Sequence, residues 1–353
     1  MKYLIGIVVS ALLIAGAWTI TTNDNQADTD IRADETFAIT TSFYPLEYAL
    51  ERITGDLAKV TNIGEGRDPH DFRPSTQDVL ALQRSDLVVI QGVDFEPWGD
   101  DIKESLEADG IKVVLATKGL KLREGGHAHD DENHEDEHNE ESTHEEDEHD
   151  DSEHEDKHHD EEHAHDDEHA HEEDHHDEHE HGAYDPHTWV DPVLFSQTVD
   201  TLTKEIIALD ETNANTYRQN AETFKADLAA IDKQYETRLA SCPLDEVITS
   251  HEAFGYVGKR YNFEIHSIAG LSTQDTPSAT TLALLREEAE EGIGAILLEE
   301  NSITAYGDTL ARETGLQTLS INPIAYIIPE GEDFLSLMLL NLDTFATALN
   351  CNE

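Results

Sequence analysis

The chain has 353 residues, and 78 Asp and Glu against 22 Lys and Arg give a formal net charge of −56. A surface this acidic excludes nucleic acid as a partner, because phosphates need cations. Setting aside an N-terminal segment and one central insert leaves roughly 280 residues, which suits two compact lobes that each bury a core.

Residues 1–35 read as an export segment and tether. Lys2 precedes an uncharged apolar run over residues 4–13, and Ala15-Gly16-Ala17 puts small residues at the −3 and −1 positions of a cleavage site after Ala17. The runner-up is an uncleaved anchor, although residues 4–20 fall just short of a comfortable span. Either way the protein is expected outside the cytoplasm, periplasmic or at the extracellular face of the membrane. No cysteine near this segment offers a lipid-attachment point.

The first lobe is expected over residues 36–211. Residues 37–39 read as a strand, 46–53 as a helix ended by Gly55, and 59–63 as a second strand. Asp68-Pro69-His70-Asp71-Phe72-Arg73-Pro74-Ser75 follows. Ser75 with Asp78 forms a capping box, which predicts a helix over 76–83. The continuous apolar runs at 87–90 and 113–115 mark strands buried on both faces. Strands alternating with helices argue for a parallel sheet.

The insert, residues 127–181, interrupts this lobe. It holds 17 of the 21 histidines, 29 acids and one lysine, and it has no Val, Ile, Leu, Met or aromatic residue. Such a stretch cannot bury a core and should be disordered. Its ligand types suit divalent metals, but nothing fixes their geometry. It reads as a mobile metal collector; the plainer alternative is a solvated acidic linker.

Beyond the insert comes Tyr184-Asp185-Pro186-His187-Thr188-Trp189, then a helix carrying Leu194, Val199, Leu202, Ile206 and Leu209. Residues 212–241 are expected to form a linker helix. Its apolar positions step by three or four from Tyr217 to Leu239 over about 27 residues, near 40 Å, and Pro243 is expected to stop it. The second lobe, 242–353, opens with a strand at 247–249 and Ser250-His251-Glu252-Ala253-Phe254. Strands at 265–268, 295–298 and 318–321 and helices at 278–291 and 335–349 follow. Pro-Ser, helix, apolar strand occurs at 74–90 and again at 277–298, so the lobes should be of similar build. In an exported chain, Cys242 and Cys351 are expected to form a disulfide.

Four histidines lie outside the insert: His70, His187, His251 and His266. The first three occupy polar turns after a strand or before a helix, where parallel sheets gather their ligand sites. Proline stiffens the turns of His70 and His187. Two imidazoles from the first lobe and one from the second would set a metal between them, and Zn²⁺ takes imidazole nitrogens readily. His266 reads as structural.

Those turns, together with Thr41-Ser42-Phe43-Tyr44-Pro45 and Ile321-Asn322-Pro323-Ile324, carry a specific resemblance. The chain resembles the zinc- and manganese-type solute-binding proteins of ABC transporters, and in particular the zinc-type members with a His-rich loop. The resemblance implies an α/β fold of two similar lobes with parallel sheets flanked by helices. One long rigid helix would join them, with the metal in the cleft between lobes and limited lobe motion. It implies His70, His187 and His251 as metal ligands and a membrane permease as partner. Imidazole is softer than the glutamate that manganese members usually carry at the third position, so Zn²⁺ is favoured over Mn²⁺. The family's fourth position falls on Asn322, where an acid is commoner; Glu299 and a histidine of the insert are alternatives. A monomer is expected.

Three functions compete at this stage. The first is a binding protein that captures zinc and delivers it to a permease. The second is a metal buffer or store acting through the insert, which leaves the three matched turns unexplained. The third is a zinc hydrolase, since three histidines and a water also make a catalytic site. The chain lacks HExxH, and Asp71 and Glu252 beside the histidines could serve equally as orienting partners. The chain therefore reads as a binding protein, not an enzyme.

Overall fold

A computed structural model describes residues 36–125, 184–299 and 304–351. The export segment and the His-rich insert fall outside the described residues. Among those described, no helix is long and apolar enough to cross a membrane.

The first lobe follows the order strand β1 (Phe37–Thr41), helix α1 (Tyr44–Thr54), β2 (Ala58–Asn62), α2 (Thr76–Leu82), β3 (Leu87–Ile90), α3 (Gly99–Ala108) and β4 (Lys112–Leu115). Then come α4 (Pro192–Leu209) and the joining helix α5 (Ala214–Arg238). The second lobe runs β5 (Glu246–Thr249), α6 (Gly255–Tyr261), β6 (Glu264–Ser267), α7 (Ala279–Glu291), β7 (Ile296–Glu299), α8 (Thr304–Thr314), β8 (Thr318–Ile321) and α9 (Phe334–Ala348). Both sheets have four parallel strands, ordered β2-β1-β3-β4 and β6-β5-β7-β8. The repeated Pro-Ser pattern thus reflects the same strand order used twice. Ser75 and Ser278 cap α2 and α7 as their positions predict.

Each sheet is covered on both faces, which is why β3 is apolar and buried at all four positions. Alternate residues point opposite ways. Leu87 and Val89 of β3 join the large central core, whereas Val88 and Ile90 pack outward with Leu82, Trp98 and Leu106. In the second lobe, Val247 and Leu297 face the central core, and Ile248 and Ile296 face an outer cluster with Leu285 and Leu310.

Helix α5 is the spine of the central core. Tyr217, Ala221, Phe224, Leu228, Ile231 and Tyr235 form its buried stripe. Its 25 residues span about 38 Å at 1.5 Å per residue. It ends at Arg238, earlier than the expected stop at Pro243. The reason is tertiary: the segment beyond is drawn to the C-terminus by the Cys242–Cys351 disulfide and by a hydrogen bond from the Leu244 amide to the Leu349 carbonyl. Phe334 of the second lobe stacks on Tyr48 of α1 and packs against Phe195 of α4. The apolar core therefore runs unbroken from one sheet to the other, and the lobes are not hinged on a bare tether.

Candidate metal centre

The three matched histidine turns converge. One ring nitrogen from each of His70, His187 and His251 lies within 4.8 Å of the others. The Nε2 atoms of His70 and His187 are 3.4 Å apart. Zinc–nitrogen bonds of 2.0–2.1 Å in a tetrahedron set neighbouring donors about 3.3–3.4 Å apart, so this spacing already fits the ion.

Each turn is built by its own sequence. The Asp68 side chain accepts from the His70 amide at 3.0 Å, and its carbonyl accepts from the Phe72 amide, closing a tight turn. Phe72 anchors that turn in the outer core. The His70 ring packs edge-on against Phe95 with centroids 4.8 Å apart. His187 sits after Pro186 in a buried turn whose Pro186 carbonyl and Thr188 hydroxyl accept from the Gln91 side chain. His251 lies two residues beyond β5 and is buried.

Carboxylates fix two of the rings. Asp185 Oδ1 accepts from both the His187 amide and Nδ1 at 2.9 Å. Glu299 Oε1 lies 2.6 Å from His251 Nδ1 and also accepts from the Ser250 hydroxyl at 3.0 Å. The carboxylate oxygens accept, so each Nδ1 carries a proton and Nε2 is the nitrogen left to bind a metal once it is unprotonated. The orienting carboxylates are thus Asp185 and Glu299, rather than the Asp71 and Glu252 that adjoin the histidines in sequence. The strand register accounts for the second: Thr249 pairs with Leu297, so His251 and Glu299, each two residues on, emerge side by side.

The structure places the remaining candidates in the following contacts. Glu299 orients His251. Asn322 spends its carboxamide inside its own loop, where Nδ2 donates to the Ile327 carbonyl at 2.9 Å and Oδ1 accepts from the Ile324 amide at 2.7 Å. That loop presents the Pro323 carbonyl to the Trp189 indole N–H at 2.7 Å, a tie between the lobes. His266 lies outside the centre, 3.1 Å from Glu246 and 3.0 Å from Glu288, in the structural role expected for it.

The electrostatics set the rings apart. Burial, and then the neighbouring imidazoles, push His70 well below the usual histidine range. Burial, His251 and Arg123 do the same to His187. Burial also opposes a charge on His251, but Glu299, with Asp68 and Asp185, outweighs it and raises that ring above its ordinary value. Burial raises Asp185 to about 6 against the pull of Arg123 and the His187 amide, so it is ionised at neutral pH. A cavity of about 1000 Å³ opens beside His70 and is lined by Phe95, Pro186, Glu252 and the rim acids Asp94 and Asp275.

Two like lobes that bring three imidazoles into one cleft define a metal-capturing solute-binding protein. The comparisons agree. A family model described as ZnuA, zinc-uptake complex component A, periplasmic, matches residues 39–348. The chain is 31% identical over 349 residues to the high-affinity zinc uptake system protein ZnuA of Bacillus subtilis (strain 168), across 97% of this chain and 96% of that protein. It is 29% identical over 323 residues to the zinc-binding lipoprotein AdcA of Streptococcus pneumoniae serotype 4, covering 88% of this chain but 55% of AdcA, about half of that relative's length. The Zn(II)-bound ZnuA-like domain of Streptococcus pneumoniae AdcA superposes with a TM-score of 0.65 at 25% identity, over 90% of this chain and all of that domain. The chain belongs to the ZnuA family of periplasmic zinc-uptake components, which serve transport and are not enzymes.

Proposed function

We propose that His70, His187 and His251 are the ligands with which this protein captures Zn²⁺ outside the cytoplasm, and that the loaded protein hands the ion to an ABC-type membrane permease. The observation that carries this reading is the cluster of three ring nitrogens, two of them on imidazoles whose Nδ1 is held by a carboxylate. Three neutral imidazoles favour Zn²⁺ over Mn²⁺. A water takes the fourth position, because the Asn322 carboxamide is committed to its loop and Glu299 turns Oε1 to His251. An exchangeable ligand suits a protein that must give its cargo up. The protein works as a monomer and reaches its compartment by the export segment at residues 1–35.

The continuous core through α5, the Trp189–Pro323 tie and the Thr273–Asp68 hydrogen bond at 2.8 Å support a small lobe displacement on loading. Capture then means completing a nearly formed site.

The pH dependence tests this function. His70 and His187 are already neutral near pH 7, so the proton that zinc must displace sits on His251, the ring whose value is raised. Below that raised value zinc competes with one proton, and apparent affinity should fall about tenfold per pH unit; above it, affinity should level off. Zinc titrations between pH 6 and 8 should show this single-proton slope, which should steepen below about pH 6 as Asp185, the partner of His187, also takes up a proton. An affinity flat down to pH 5 would count against histidine ligation.

A further inference from the structure

The two chain segments that flank the insert meet beside the metal centre. Glu124 and Tyr184 form an antiparallel bridge, and the Asp185 amide donates to the Arg123 carbonyl at 3.0 Å. From this neck the Arg123 side chain reaches two carboxylates. Its Nη1 donates to Asp185 Oδ2 and its Nη2 to Glu252 Oε1, both at 2.8 Å. Asp185 holds the first-lobe ligand turn of His187, and Glu252 directly follows His251 in the second lobe. One guanidinium therefore joins the two ligand turns across the cleft.

The surroundings are shaped to keep it there. The Tyr256 hydroxyl accepts from the Arg123 amide at 3.1 Å and donates to the Asp185 carbonyl at 2.8 Å. A Cβ at position 255 would collide with the guanidinium, and Gly255 leaves the space open. Both carboxylates are buried, and buried acids need a counter-charge held in good geometry. Asp185 divides its oxygens, one to His187 and one to Arg123. The planar fork of arginine serves two acceptors in fixed directions; a lysine ammonium supplies the charge without the fork.

We propose that Arg123 is a positioning residue for the zinc centre: through Asp185 and Glu252 it sets the orientation of His187 and the spacing between His187 and His251, and so the affinity of the site. This rests on the three-histidine reading above. It also gives the neck a function, because the chain entering and leaving the insert is pinned to the centre at the same residue.

The test uses the full chain, with Arg123→Gln and Arg123→Lys beside the parent. Zinc affinity is measured by competition with a chromophoric chelator, ligand geometry by the visible spectrum of the Co²⁺ form, and fold by the thermal midpoint of the metal-free protein. Arg123→Gln should weaken zinc binding about 10–100-fold and shift the Co²⁺ bands, the scale seen when partners of metal ligands are removed. Arg123→Lys should recover part of the affinity. Parent-like zinc affinity in both variants would overturn the inference. So would a lowered thermal midpoint with unchanged affinity and Co²⁺ spectrum, which would make Arg123 structural only. If Arg123→Gln does not fold, Arg123→Lys decides by the same two readouts. A parent that binds no zinc tightly would instead defeat the three-histidine reading itself.

Discussion

Replacing His251 with Ala should abolish tight zinc binding. Structural zinc sites with four ligands bind with about 10–16 kcal/mol, or about 2.5–4 kcal/mol per ligand. At 1.4 kcal/mol per decade, losing one imidazole should cost about 10²–10³-fold in affinity. The substitution also removes the ring that Glu299 orients, so the second lobe would contribute no nitrogen to the cluster. Calorimetry on His251→Ala should find the tight phase gone while weak binding by the insert persists. A variant that keeps the parent's tight phase would rule out His251 as a ligand.

The second large effect concerns stability. The Cys242–Cys351 disulfide spans a sequence separation of 109 and joins the segment after α5 to the end of α9. Closing a loop of that length should contribute about 5 kcal/mol in the chain-entropy model. At about 2–4 °C per kcal/mol for a fold of this size, replacing both cysteines with Ala should lower the thermal midpoint by about 10–20 °C. An unchanged midpoint would mean that packing of α9 against α5 already holds the terminus. Zinc affinity should change little, because the bond lies away from the histidine turns.

Much of this architecture is legible in the residues. The apolar run Leu87–Ile90 is a strand buried at all four positions, as its pattern predicts; 113–115 and 318–321 also fall in strands, but these lie at sheet edges and bury only Val114 and Ile321. The stripe from Tyr217 to Tyr235 announces α5, and the Pro-Ser caps announce the doubled topology. Helices α3, α6 and α8 carry weaker signals. In α3 only Gly99 and Leu106 are buried, so it lacks a clear apolar stripe. Helix α6 has two glycines, and Gly258 is there because a Cβ would press on the Phe263 carbonyl at 2.8 Å.

The centre divides in the same way. The three histidines are legible because each sits in a stiffened turn beside a strand or helix end. Asp185, two residues before His187 in the same turn, is a local partner, but Glu299 and Arg123 are not legible, because they are set by register and long-range packing. Glu299 meets His251 across 48 residues of sequence through the pairing of β5 with β7. Arg123 meets Glu252 across 129 residues through the neck of the insert. Asn322 falls where a fourth ligand is expected, yet the loop it closes needs both ends of its carboxamide, with Ile324 held at a positive φ of 57°. Local sequence shows what a side chain can offer; the fold decides which neighbour uses it.

The tight site is expected to belong to three single histidines rather than to the 17 histidines of the insert. Calorimetric titration of the protein lacking residues 127–181 tests it most directly. One tight zinc site per chain should remain, and the weak multi-site phase should disappear; a deletion protein that folds but binds no zinc tightly would contradict it.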